Sequence, residues 1–193
     1  TNNEVGIRLK YSSNNNISGN SIISNSENGI YSLWADFNTI TGNILSNNNG
    51  YGIEFWSSSN NNITGNILSN NEDGICLGHS SNNNISGNSL SGDDIDFHGS
   101  AENNIISGNI ISGGGIGCWS KNIISGNIIS GGTGGIDIYG DFNIITGNTI
   151  SNNKNGIYLG SASNNNISGN KISSNSLNGI YLNGESDNNK ISG

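Results

Sequence analysis

Isoleucine recurs along this chain at a spacing far longer than any helix or strand period. The tetrapeptide Ile-(Ser/Thr)-Gly-Asn begins at Ile17, Ile40, Ile63, Ile85, Ile106, Ile124, Ile145 and Ile167, and Ile191-Ser192-Gly193 starts a ninth copy. Successive copies lie 23, 23, 22, 21, 18, 21, 22 and 24 residues apart. A second apolar marker, usually Gly-Ile, keeps step with the first at Ile7, Ile30, Ile53, Ile75, Ile95, Ile116, Ile136, Ile157 and Ile180. Two markers in phase over the whole chain define an array of about nine repeats, each of about 22 residues.

Within a repeat the pattern predicts three short strands. After Gly-Ile the apolar residues alternate, as in Ile157-Tyr158-Leu159, which sends the first and third inward. A Ser/Asn-rich turn leads to the Ile of Ile-Ser-Gly-Asn, and another aliphatic residue (Leu45, Leu68, Leu90, Ile111, Ile129, Ile150, Ile172) follows two positions after the Asn. Coils of this kind stack about 4.8 Å apart as parallel strands, with like residues in ladders through the core. Each buried Ile or Leu contributes roughly 1.5–3 kcal/mol, so three or four per coil can hold the stack together. The expected fold is therefore all-β: a right-handed single-stranded parallel β-helix forming one domain over residues 1–193. Its ends look uncapped, since Thr1-Asn2-Asn3 runs almost directly into Val5-Gly6-Ile7 and the chain stops within a repeat.

The 42 Asn and 30 Gly fit the same scheme. Sharp corners need positive φ, which Gly and Asn tolerate best. Asn20, Asn43, Asn66, Asn88, Asn109, Asn127, Asn148 and Asn170 fall at one equivalent corner, where their amides can bond from coil to coil. A leucine-rich repeat shares the period and the Asn ladder, but its convex side would have to be built here from Ser, Asn and Gly without helical periodicity.

Charge narrows the partners. With a net charge of -8 and only six Lys+Arg, the chain lacks the basic surface that tracks phosphates, so no nucleic acid is expected. No apolar run approaches the ~18 residues of a membrane span. Two cysteines make no disulfide framework, and by strand spacing Cys76 and Cys118 are about 9.6 Å apart on opposite faces.

The stretch from Asn155-Gly156-Ile157-Tyr158-Leu159 through Asn165-Asn166-Ile167-Ser168-Gly169-Asn170 resembles the parallel β-helix repeats of NosD-type proteins. That group includes carbohydrate-binding proteins, sugar hydrolases and repeats of microbial surface-layer proteins. The resemblance covers essentially the whole chain and implies secretion and work on polysaccharides or at the cell surface. The copper association of the NosD name falls on no particular residue.

Function is sought where the repeat is broken without structural need. On the Gly-Ile strand the first outward row reads Arg8, Tyr31, Glu54, Cys76, Asp96, Gly117, Asp137, Tyr158, Tyr181. The second reads Lys10, a shifted coil near Trp34, then Trp56, Gly78, His98, Trp119, Tyr139, Gly160, Asn183. The central coils thereby gather Glu54, Asp96 and Asp137 beside Trp56, His98, Trp119 and Tyr139. Sugars stack their CH faces on rings and donate their hydroxyls to carboxylates, so these seven are the candidate carbohydrate-binding residues. The plain alternative is that aromatic residues favour exposed strand positions. Paired carboxyls could hydrolyse a glycosidic bond, either Glu54 with Asp96, about 9.6 Å apart by strand spacing, or a pair within the acidic run Asp93-Asp94 with Asp96, although no Arg/Lys set accompanies them. Cys76, His79, Asp96 and His98 have the ligand types of a zinc or copper site but no close-spaced motif, and neither metal nor other cofactor is expected.

Two further features follow the repeat. Asn16, Asn62, Asn84 and Asn166 begin Asn-Ile-Ser/Thr sequons at equivalent corners, which makes them candidate glycan acceptors and equally a by-product of the coil. Ile105, Ile123 and Ile144, with Ile44, Ile67, Ile110 and Ile128 one strand later, predict an aliphatic strip along one side. That strip favours lateral self-association, and the uncapped ends favour association end to end. The leading expectation is an extracellular or cell-surface structural module that self-assembles and is not an enzyme. The alternative is a polysaccharide-binding or polysaccharide-degrading β-helix working through its acidic, aromatic face.

Overall fold

The computed structural model describes residues 1–193 and contains 26 strands and no helix. The strands form three parallel sheets of nine, nine and eight members. The array is thus a right-handed β-helix of eight complete coils and two strands of a ninth, close to the count expected from the repeat. One coil shows the plan: Ile75–Gly78 lies in the first sheet, Asn84–Ser86 in the second and Ser89–Ser91 in the third.

The ladders follow the apolar pattern. Ile53 pairs with Ile30 and Ile75, Ile85 with Ile63 and Ile106, and Leu90 with Leu68 and Ile111. All of these side chains are buried, and Phe55 and Phe97 are the largest residues in the core. Stacking like on like packs the core residues of each coil against those of its neighbours in one continuous cluster.

Three corners turn the chain. At the first, Asn15, Asn38, Asn61, Asn83, Asn104, Asn122, Asn143, Asn165 and Asn189 bond in sequence from coil to coil. The expected ladder from Asn20 to Asn170 occupies the second corner without a break. At the third corner a ladder runs from Asn3 through Asn25, Asn48 and Asn71 to Asp93. It then stops at Gly114 and Gly132, and Asn153 and Asn175 take the slot again farther on.

One register expectation is corrected. Leu33, not Trp34, pairs with Lys10 and Trp56, so the second coil is not shifted. The strand keeps its four residues, and Trp34 turns into the first corner at φ 49°, stacked on Tyr11 with ring centroids 4.9 Å apart. The exposed isoleucines also differ from expectation. Ile105, Ile123 and Ile144 face outward from the second sheet, whereas Ile44, Ile67, Ile110 and Ile128 face outward from the third. The positive-φ glycine and the Asn between them turn the chain, so there are two strips where one was expected. The sequon residues Asn16, Asn62, Asn84 and Asn166 take the corresponding outward slots of the second sheet. Asn84 and Asn62 bond to each other there at 2.8 Å.

Candidate functional site

The outward row of the first sheet runs in register from Glu54 through Cys76, Asp96, Gly117 and Asp137 to Tyr158. Gly117 is the gap in this row. A β-carbon there would collide with the Asp96 carboxylate, which leans across the glycine toward Asp137. Gly117 thus becomes the floor of a cleft of about 270 Å³ whose walls include Asp73, Asp94, Asp96, Asp137, Thr133 and Tyr139.

Crowding acids into a partly dry cleft alters their titration. Burial, reinforced by the charges of Asp94 and Asp96, raises Asp137 from 3.8 to about 6. Asp73 rises to about 6 for the same reasons, burial first and then its acidic neighbours. Asp96 is also raised by burial, against the pull of His98, whose Nε2 lies 3.4 Å from its carboxylate.

Aromatic rings continue from the cleft along the rod. Trp119 and Tyr139 stand 6.2 Å apart, Tyr139 and Tyr158 6.0 Å, and Tyr158 and Tyr181 5.5 Å, at interplanar angles of 45°, 64° and 55°. The Trp119 indole is pinned by a 2.9 Å hydrogen bond from its Nε1 to the Phe97 carbonyl, yet the residue remains 43% exposed.

The seven residues singled out in the sequence do not act as one group. Asp96, His98, Trp119, Asp137 and Tyr139 come together. Glu54 accepts a 2.6 Å hydrogen bond from Asn28 and borders a separate hollow with Arg8 and Tyr31. Trp56 lies flat over Gly78 with its edge toward His79 at 5.2 Å. Between the two groups, Cys76 occupies an outward slot but is buried, and its thiol is pushed up by that burial and by Glu54 and Asp96. Sequence reasoning missed Asp73 as a wall of the cleft and saw Asp94 only as one of a run of acids. Both come from the third corner, and the acidic run just ahead of the Gly-Ile marker was the available signal.

Residues 1–98 match the family described as periplasmic copper-binding protein (NosD), and residues 67–193 match the right-handed β-helix region family. None of the characterised proteins matches significantly in sequence. Among solved structures, the DFA-IIIase of Arthrobacter chlorophenolicus without its lid aligns with a TM-score of 0.74 at 17% identity, over 91% of this chain and 53% of that one. The Agl-KA catalytic domain aligns at 0.76 and 13% identity, over 97% and 45%. The A-module of the mannuronan C-5 epimerase AlgE6 of Azotobacter vinelandii aligns at 0.51 and 14%, over 93% and 58%. The chain spans about half the length of these structures, and at such identities the likeness is one of fold.

Copper is not matched by the residues of the first half. The chain has no Met, and its thiols are buried and held in the protonated form by that burial. His79 packs against Trp56 and approaches Ser100, while His98 turns to Asp96. No three His, Cys, Asp or Glu side chains converge as a ligand set. What the matches do share is the β-helix fold. The chain belongs to the right-handed parallel β-helix family, with its N-terminal half of the NosD type.

Proposed function

We propose that this chain is the glycan-binding and glycan-cleaving body of a polysaccharide-degrading β-helix protein that works outside the cytoplasm. The observation that carries the proposal is the Asp96–Gly117–Asp137 cleft, with a row of aromatic rings leading away from it. Two coil steps separate the aspartates, about 9.6 Å at the backbone. That coil spacing lies at the upper end of the roughly 6.5–9.5 Å that separates the two carboxyls of inverting glycosidases, with Asp96 leaning over Gly117 and Asp137 over Gly134. Asp137, with its raised pKa, protonates the leaving oxygen, and Asp96 activates the attacking water. Trp119 and Tyr139 hold sugar rings by their CH faces.

The carboxylates also narrow the substrate. No Arg or Lys lines the cleft, so a polyuronate would meet uncompensated negative charge and a neutral polysaccharide would not. The self-assembling structural module is the weaker alternative, because the exposed isoleucines divide between two sheets and form no single broad face.

The test is incubation of the chain with a panel of neutral and acidic glycans, assayed for binding and for release of reducing ends. Binding of neutral glycans that drops at least tenfold in Trp119→Ala/Tyr139→Ala is the expected result. Unchanged binding in that variant, or binding of acidic glycans alone, would remove the proposal. Trp56→Ala, outside the cleft, serves as the control and should bind like the parent.

A further inference from the structure

The third corner changes length along the rod. Six residues separate the end of the third-sheet strand from the next inward Ile at 24–29 and 47–52, and five at 70–74. Only three remain at 92–94 and 113–115, before the corner lengthens to five residues at 131–135 and 152–156. Where the corner is short, the positive-φ position taken by Asn47, Asn70 and Asn152 in other coils belongs to Gly92 and Gly113, and Gly131 continues the run. The ladder Asn is lost as well, at Gly114 and Gly132. Each missing amide forgoes side-chain hydrogen bonds that the neighbouring coils make. Stability has therefore been given up in consecutive coils for empty space.

That space is a notch of about 540 Å³, walled by Asp94, Thr133, Asn152, Asn153, Lys154 and Ser176 and floored by glycine backbone. No hydrophobic residue lines it. The buried Asn153, part of its wall, has a side-chain amide nitrogen without a hydrogen-bond partner. Asp94 and Thr133 also line the carboxylate cleft, so notch and cleft adjoin across these two residues.

From this shared wall we infer that the notch is a second arm of the binding site, taking a neutral single-sugar branch while the main glycan chain lies along the aromatic rings of the first sheet. The inference rests on the glycan-binding function proposed above. The lining supports a polyhydroxylated occupant: backbone amides, hydroxyls and carboxamides can each meet a sugar hydroxyl, and an apolar segment would find no partner. A phosphate or sulfate would face the Asp94 carboxylate. A divalent cation would find one carboxylate and the Lys154 ammonium.

The experiment restores the residue that other coils carry. Gly113→Asn/Gly131→Asn places side chains in the notch at positions where a β-carbon makes only ordinary contacts and where Asn already tolerates the same backbone in Asn70 and Asn152. Isothermal titration would compare linear glucan, xylan and mannan oligosaccharides with their singly branched counterparts, on the parent and on the double variant, with thermal melting to verify folding. The parent should bind a branched form at least tenfold more tightly than its linear partner. The double variant should bind both alike, with linear affinity changed less than twofold. A parent without a branched preference, or a preference that survives in the folded double variant, overturns the inference and leaves the linear-glycan function standing. Failure of the parent to bind any glycan removes that function, and the inference with it.

Discussion

At the second corner of every complete coil, a positive-φ glycine is followed by an Asn of one unbroken ladder, and six of those eight Asn are buried. At the third corner the same device operates in the first coils, fades into Asp93, disappears at Gly114 and Gly132, and returns at Asn153. Both corners solve the same problem, which is to reverse the chain while satisfying buried backbone groups. Only the second does so uniformly. The third exchanges part of that satisfaction for acidic side chains and open volume, and the cleft and the notch both lie beside the exchange. Uniform repeat therefore marks scaffold in this molecule, and interrupted repeat marks where the proposed site lies.

The largest effect separating the two corners concerns chemistry. If the cleft hydrolyses a glycosidic bond, Asp137→Asn should lower turnover by about 10²–10⁴-fold, the usual worth of a positioned general acid, while changing glycan affinity little. Asp96→Asn should do the same. Reducing-end release measured beside equilibrium binding provides the check. Equal loss of binding and turnover would mean that these carboxylates hold the ligand and do not act on the bond.

Next comes the scaffold. Asn109 accepts hydrogen bonds from the backbone and side chain of Asn88, and its own amide donates to the Ile85 carbonyl and to Asn127. Asn109→Ala should destabilise the fold by about 3–5 kcal/mol, because it removes these bonds and strands a buried N–H of Asn88. Urea denaturation would measure it. A cost below about 1 kcal/mol would show that the ladder is ornament, and the contrast between the corners would lose its basis.

The scaffold was legible in the sequence for the reason it is stable: like residues repeat at like positions, so Ile85, Leu90 and Asn109 could be placed before any coordinates. About half of the cleft was legible too. Asp96, Asp137 and Tyr139 sit on a strand whose alternation reveals which way they point. Asp73 and Asp94 sit on a corner whose length varies, and a corner of three or five residues has no period from which to read direction. Glu54 was grouped with Asp96 because they share a row. The hydrogen bond from Asn28 that draws Glu54 away arises from an adjacent coil's corner, where row patterns carry no information.

A smaller effect is expected in the pH dependence of stability. Asp73 and Asp137 each rise from 3.8 to about 6 on folding. Between those values the folded chain holds protons that the unfolded chain has released, so folding is favoured most below about pH 4 and loses stability as pH climbs to about 6. Above that window the contribution is spent and the profile should flatten. Melting temperatures across it should fall for the parent, and fall less for Asp73→Asn and for Asp137→Asn. Parallel profiles in all three proteins would show that the cleft leaves its acids as exposed as in the unfolded chain.

The smallest effect is the most discriminating between scaffold and site. Gly113 adopts φ +81° in a slot that Asn70 and Asn152 fill at 56° and 59°, and a β-carbon there would approach nothing closer than 3.5 Å. Asn is among the residues most tolerant of this backbone, and replacing Gly also lowers the entropy of the unfolded chain. The two influences nearly cancel, so Gly113→Asn alone should shift stability by no more than about 0.5 kcal/mol in either direction. If glycine were present because the short corner cannot fold otherwise, the same substitution would cost about 1–2 kcal/mol, as a strained backbone does. Urea denaturation of Gly113→Asn beside Asn109→Ala therefore asks what the glycine is for. A near-neutral result leaves space for a ligand as the reason this corner lacks its side chains, and a large loss would return the third corner to the scaffold.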